Sequence, residues 1–256
     1  MSINFFGTKI SWICEQGQLT MVNQFIKSNT PKYITYSNVH VVVTSKNNEM
    51  LRNAINSADL ASPDGMPLVY FGRKHGAHCV EKCSGPDMLT KVIENGLDEG
   101  YKHYFYGSKQ DTLDELENQL TIRYPEINIV GKYSPPFRKL LKEEDLTISE
   151  EINRLSPDCI WIGLGAPKQE IWMLEHKNAL NRGVMFGVGA AFDFHAGKLK
   201  RAPVWMQVYS LEWLYRLVKE PRRLFRRYFK TNVLFLWYLL RHEIVVSYKH
   251  TCQKEK

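Results

Sequence analysis

The chain has 256 residues, 44% of them hydrophobic and 24% charged, with a formal net charge of +7. That length accommodates one sizeable α/β domain plus an appendage, and the composition is ordinary for a globular protein. The longest wholly apolar run, Val233–Leu240, falls far short of the roughly 18 residues of a membrane span, and Met1–Lys9 lacks a signal peptide's basic start, so a membrane-crossing chain is excluded.

Five scattered cysteines, Cys14, Cys79, Cys83, Cys159 and Cys252, argue against a disulfide framework and for a reducing, cytoplasmic compartment. The positive charge is concentrated. From Lys198 to Lys256 there are 14 Lys+Arg against 4 Asp+Glu, which leaves 20 against 23 in the rest of the chain. A basic tail on a slightly acidic body suggests a segment that meets phosphates of lipid, nucleotide or nucleic acid.

In chain order, Tyr33–Tyr36 reads as a strand. Val39–Thr44, just after Asn38, fits either a β-branched strand or a buried helix. The apolar Ala58–Ala61 runs into the turn Ser62–Pro67. Pro86–Asp98 has helical spacing, Lys102–Tyr106 reads as a strand, and Asp111–Arg123 is helical again. Strands at Ile127–Val130, Cys159–Ile162 and Val184–Val188 follow, with Tyr133–Leu146 as an exposed loop and Pro167–Leu180 as a helix. Strands alternating with helices imply a Rossmann-like, mostly parallel sheet covered on both faces. The composition shift places a boundary near Lys198, with Arg201-Ala202-Pro203 as hinge. The division is a body over 1–197 and an appendage over 198–256, whose Trp205–Val218 and Pro221–Leu240 read as two helices.

Ligands of open α/β sheets sit beyond the carboxyl ends of the strands, and Asp64 in the Ser62–Pro67 turn falls there. A carboxylate so placed can take a proton from an attacking hydroxyl, although an aspartate in a turn is more often a cap or turn residue. Gly163–Glu170 is a glycine-rich turn between a strand and a helix, offering Gly165 backbone and the Lys168 charge to a phosphate. Gln169 and Glu170 could bond ribose, uracil or sugar hydroxyls. Gly187 and Gly189 repeat that logic after the next strand, and Gly107 after another. A plain αβ turn is the alternative for each. In the tail, Arg223, Arg226 and Arg227 share one helical face suited to phosphate oxygens, and Phe235, Trp237 and Tyr238 suit a headgroup boundary. His75, His78, Cys79 and Cys83 have a spacing that could gather metal ligands on a helix, but Gly76 weakens such a helix and no second pair completes a zinc set, so no metal is expected.

Together, Ser62–Pro67, Tyr124-Pro125, Gly163–Glu170, Gly187–Gly189, Ala196-Gly197, Arg201-Ala202-Pro203, Leu211–Arg216 and Glu220–Tyr228 resemble the WecG/TagA/CpsF glycosyltransferases, over about residues 33–235. The resemblance implies inverting, metal-independent transfer of a sugar from a UDP-sugar onto an undecaprenyl-diphosphate-linked sugar. The setting is bacterial envelope polysaccharide synthesis, at the inner face of the membrane. It implies Asp64 as general base, Gln169 in the donor pocket, and Arg216, Arg223 and Arg226 at the diphosphate. The family's early Thr-x-Asn stands here as Tyr36-Ser37-Asn38, so Asn38 carries over while the hydroxyl falls on Ser37 or Thr35. The competing classes are a nicotinamide-dependent oxidoreductase, whose GxGxxG is missing, and a nucleic-acid-binding module, which the acidic body disfavours.

Overall fold

The computed structural model describes residues 2–208, 211–241 and 244–247. The chain opens with a hairpin of β1 (Ser2–Phe5) and β2 (Thr8–Ser11), then α1 (Glu15–Lys27), β3 (Lys32–Ser37), α2 (Val39–Lys46), α3 (Glu49–Asn56), β4 (Leu60–Pro63), α4 (Met66–Lys74) and α5 (Gly85–Gly96). Its centre alternates β5 (Lys102–Gly107), α6 (Gln110–Arg123), β6 (Asn128–Tyr133), α7 (Lys142–Leu155), β7 (Cys159–Gly163), α8 (Lys168–His176) and β8 (Val184–Gly187). There follow α9 (Ala191–His195), α10 (Val204–Val208), α11 (Glu212–Lys219), α12 (Pro221–Leu240) and β9 (Ile244–Ser247).

Six strands form one parallel sheet in the order β4-β3-β8-β7-β5-β6. Because successive side chains of a strand point to opposite faces, the central strands feed two cores. Ile34, Phe105, Trp161 and Phe186 enter the core covered by α1, α5, α6 and α9. Tyr33, Tyr104, Ile160 and Met185 enter the one covered by α7 and α8. Burial on both faces explains why these strands read as continuous apolar runs.

Val39–Thr44 is helical, within α2. The Asn38 side chain accepts the Val41 N–H at 3.1 Å and caps the helix, while Val41, Val42 and Val43 are all buried. Burial on several sides outweighs the β preference of valine. The expected loop over Tyr133–Leu146 is shorter than its composition suggested. Tyr133 ends β6 and α7 begins at Lys142, where Glu143, Glu144 and Asp145 occupy the first turn and Glu144 Oε2 accepts the Leu141 N–H at 2.8 Å. That charge cluster is a helix-start signal, since carboxylates favour the positive end of a helix. The single helix expected over Trp205–Val218 is two, α10 and α11, with Leu211 non-helical ahead of α11. As the reading of Gly76 implied, no helix runs through His75–Cys83: α4 ends at Lys74, and Gly76 takes a φ of +95°.

A second sheet, β2-β1-β9, is antiparallel and joins the two ends of the described chain, with Ser2 opposite Ser247. Above it α12 lays one stripe of residues, Leu224, Thr231, Phe235 and Tyr238, into the protein. Phe235 lies 5.7–6.2 Å from the rings of Phe5, Phe6 and Phe71, and Lys46 Nζ sits 3.9 Å above the Tyr238 ring. Truncating Phe235 to alanine should therefore cost about 3–5 kcal/mol, as for other buried aromatic side chains. Urea unfolding followed by circular dichroism measures the loss.

Candidate active site

The parallel sheet brings every functional turn to one edge. Asn38 follows β3, Asp64 follows β4, Ser108 follows β5, and Gly165 and Gly189 follow β7 and β8. The chain leaves β5 toward β6 and leaves β7 in the opposite direction toward β8, so α6 and α8 lie on opposite faces and a crevice opens between the two strands. Gly107 and Gly163 face each other there in register. A Cβ on Gly107 would stand 2.7 Å from the Gly163 carbonyl carbon, so only glycine fits. Gly165 has a φ of +75° and open space beside it, which leaves its turn accessible from the crevice.

Gln169 fixes the two glycine turns from below. Its Oε1 accepts the Gly165 N–H at 3.1 Å, and its Nε2 donates to the Gly187 carbonyl at 2.8 Å and to Glu170 Oε1 at 2.9 Å. Gln169 is 4% exposed and Glu170 wholly buried, so both lie beneath the surface of the turn, while Lys168 is exposed at the start of α8. Burial pushes the Glu170 carboxyl up to about 7, and its second oxygen has no hydrogen-bond partner among the described residues. Thr35 and Ser37 point to one face of β3, fully buried, with hydroxyls likewise unpartnered among the described residues. Gly187 pairs in register with Thr35, so this polar group underlies the β3/β8 end of the crevice.

Asp64 stands at its rim. Its N–H donates to the Ser37 carbonyl at 2.8 Å, which ties the turn after β4 to the end of β3. The carboxyl is half-buried, and its proton affinity is raised to about 7. Loss of water is the main cause; Lys82 lowers it, Glu212 and Asp87 raise it, and Arg216 lowers it. Those four groups come from three places in the chain. Lys82 precedes α5, Asp87 sits in its first turn, and Glu212 and Arg216 belong to α11.

They are linked to one another. Arg201 Nη1 donates to Asp87 Oδ1 at 2.6 Å, and its Nε donates to Glu212 Oε1 at 3.4 Å. Lys82 Nζ lies 3.6 Å from Glu212 Oε2, and Ser84 donates to Asp87. Burial acts against the Asp87 charge, but the bonds from Arg201 and Ser84 and the charges of Arg201 and Lys82 hold its carboxyl below the usual range. Arg201 and Arg216 both approach the Phe194 ring, at 5.9 and 5.8 Å. Beside them lies a groove of about 330 Å³ walled by Phe194, Leu199 and Tyr215, with Lys200, Arg216, Lys219 and Glu220 at its margin.

Of the sequence-derived candidates, Thr35, Ser37, Asn38, Asp64, Gly107, Gly165, Lys168, Gln169, Glu170, Gly187 and Gly189 gather at this edge, and α11 carries Arg216 to Asp64. Arg223 and Arg226 lie on α12, and their side chains fall outside the described part of the structure. Sequence reasoning missed Lys82, Asp87 and Glu212 as neighbours of Asp64 and took Arg201 only as a hinge. The string Lys82-Cys83-Ser84-Gly85-Pro86-Asp87, a serine cap followed by Pro and Asp at a helix start, was the available signal.

A parallel doubly covered sheet, glycine turns at its crevice and a carboxylate with near-neutral proton affinity define an α/β enzyme of the Rossmann-like kind. The model of the WecG/TagA/CpsF glycosyl transferase family matches residues 3–248, and the chain belongs to that family of glycosyltransferases. It is similar to the N-acetylglucosaminyldiphosphoundecaprenol N-acetyl-beta-D-mannosaminyltransferase of Bacillus subtilis (strain 168), with 27% identity over 215 residues covering 78% of this chain and 82% of that one. The Staphylococcus aureus (strain MW2) protein of the same name is 25% identical over 231 residues, 88% of this chain and 86% of its own.

The raised Asp64 affinity has a stability consequence. Below about pH 3.8 the group is protonated whether folded or not and contributes nothing. As pH rises toward 7 the unfolded chain ionises first, so the folded state loses stability, and above 7 the loss is constant. Asp64→Asn should therefore melt several degrees above the wild type at pH 8, with the difference shrinking toward pH 4. Differential scanning calorimetry across that range measures it.

Proposed function

We propose that this glycosyltransferase moves N-acetylmannosamine, or a related hexose, from its UDP donor onto an undecaprenyl-diphosphate-linked N-acetylglucosamine, with inversion. The observation that carries the reading is the pairing of Asp64, a carboxyl that titrates near neutrality, with Arg216 and the cationic groove beside it. The names of the two Bacillus and Staphylococcus relatives supply the acceptor and the sugar.

In this mechanism the acceptor hydroxyl gives its proton to Asp64 as its oxygen attacks the anomeric carbon. The bond from that carbon to the β-phosphate oxygen breaks, and the electron pair leaves with UDP. A base whose pKa lies near the working pH combines availability with driving force. The turns at Gly107, Gly165 and Gly189 offer backbone N–H groups to the nucleotide, and Lys168 adds charge at the head of α8. Thr35, Ser37, Asn38 and the Gln169–Glu170 pair shape the floor below the donor sugar. Arg216, with Arg223 and Arg226 of α12, meets diphosphate charge, so no metal is called upon. An oxidoreductase or nucleic-acid role has no corresponding use for Asp64 beside Arg216.

The acceptor's lipid requires a surface. No helix among the described residues is long and apolar enough to cross a membrane. Opposite its buried stripe, however, α12 exposes Phe225, Phe229, Val233, Leu236 and Leu240, at spacings that form one face, with Trp237 beside it on the same helix. Such an apolar stripe beside basic residues suits peripheral binding at the inner leaflet.

Asp64→Asn should lower kcat by about 10²–10⁴ while leaving UDP binding within about twofold, as read by transfer assay and calorimetry. Near-normal turnover would remove Asp64 from the mechanism, and heat of binding to NAD rather than UDP would remove the class of donor. Phe229→Glu combined with Leu236→Glu should reduce co-sedimentation with anionic vesicles at least tenfold, each large apolar side chain being worth about 1.5–3 kcal/mol when buried.

A further inference from the structure

We propose that Arg201 is a positioning residue for the transfer reaction: its guanidinium straps α11 to the head of α5 and so delivers Arg216 to Asp64. The proposal rests on the reading of Asp64 as the base. Arg201 reaches in two directions at once, to Asp87 at 2.6 Å and to Glu212 at 3.4 Å, through different nitrogens of its planar fork. Arg201 is separated from Asp87 by 114 positions and from Glu212 by 11, so a single side chain joins the α/β body to the segment that follows it.

The strap matters because α11, packed on α10 and α12, is only partly buried. None of its residues is fully buried, so it has no apolar anchor of the kind that fixes α12 through Phe235. Its described ties to the body are polar or aromatic: Glu212 to Arg201 and Lys82, and Arg216 against Phe194. Arg201 packs on that same ring, so the two guanidinium groups share one aromatic platform. Released from Glu212, α11 would carry Arg216 away from the carboxyl it faces.

A second effect is electrostatic. The charged and titratable groups around Asp64 are Lys82, Asp87 of α5, Glu212 and Arg216 of α11, and the Tyr36 and Cys83 side chains. Arg201 neutralises the two carboxylates in this set, and its charge also acts on His195 of α9. Without Arg201, Asp87 and Glu212 lose their guanidinium partner and are left to Ser84 and Lys82, and like charges raise a carboxyl's proton affinity.

The test uses the full chain, UDP-N-acetylmannosamine, and a short-chain lipid-diphosphate-linked N-acetylglucosamine, with kcat/KM measured from pH 5.5 to 9. In Arg201→Gln the acid limb should move up by about 0.5–1 pH unit and the plateau should fall by about 10–100-fold. Arg201→Lys should keep the limb near its wild-type position, since charge is retained, but lower the plateau because the fork is lost. Adding Glu212→Gln to Arg201→Gln should bring the limb back down. A plateau loss with an unmoved limb in Arg201→Gln would reduce Arg201 to a structural residue and overturn the proposal, as would an unchanged plateau. Carbon NMR titration of the Asp64 carboxyl reads the same shift without turnover. If the wild type transfers no sugar, the functional reading fails, and the NMR titration still decides for or against the strap.

Discussion

Asp64 loses water as it enters the crevice, and an isolated carboxyl in that position would stay protonated well above its solution range. That loss of water raises its titration to about 7, while two cations, Lys82 and Arg216, lower it and two further carboxylates, Glu212 and Asp87, raise it. Each of those carboxylates is itself paired with Arg201. The site therefore depends on balanced charge spread over three segments, and much of the surrounding architecture can be understood as the means of holding those segments together.

The parallel sheet does the first part of that work. Its crossovers place the turns after β3, β4, β5, β7 and β8 on one edge, and Gln169 bonds the two glycine turns so that neither can drift from the other. The segment after Lys198 does the second part. Here α12 is set into the core by Phe235 and Tyr238, whereas α11 is held by ion pairs and aromatic contact. One helix is a fixed support, and the other carries polar ties to the body.

The parts of this arrangement legible in the sequence are those encoded locally. Continuous apolar runs gave the buried strands, glycine turns gave the crevice, and the apolar run before Ser62 put Asp64 just past a strand end. Val39–Thr44 was ambiguous because valine density marks burial as well as strand. Other features lay beyond a local reading. Glu143–Asp145 signals a helix start only once the carboxylates are read against the helix end rather than as loop composition. The Asp87–Arg201 bond joins residues 114 positions apart, and nothing in either neighbourhood announces the other. The same holds for β9, whose partner β1 lies at the opposite end of the described chain.

That last pairing bears on how the enzyme comes into being. A ribosome releases β1 well before β9, so the antiparallel sheet beside the seat of Phe235 between Phe5 and Phe6 stays incomplete until both strands have emerged. Such distant pairing is slow to form because the ends of a long loop must first meet. The α/β body can gather its own core beforehand, and α12 takes its place after it. Maturation is thereby ordered in time, with apolar α12 seated only after a folded body exists to receive it.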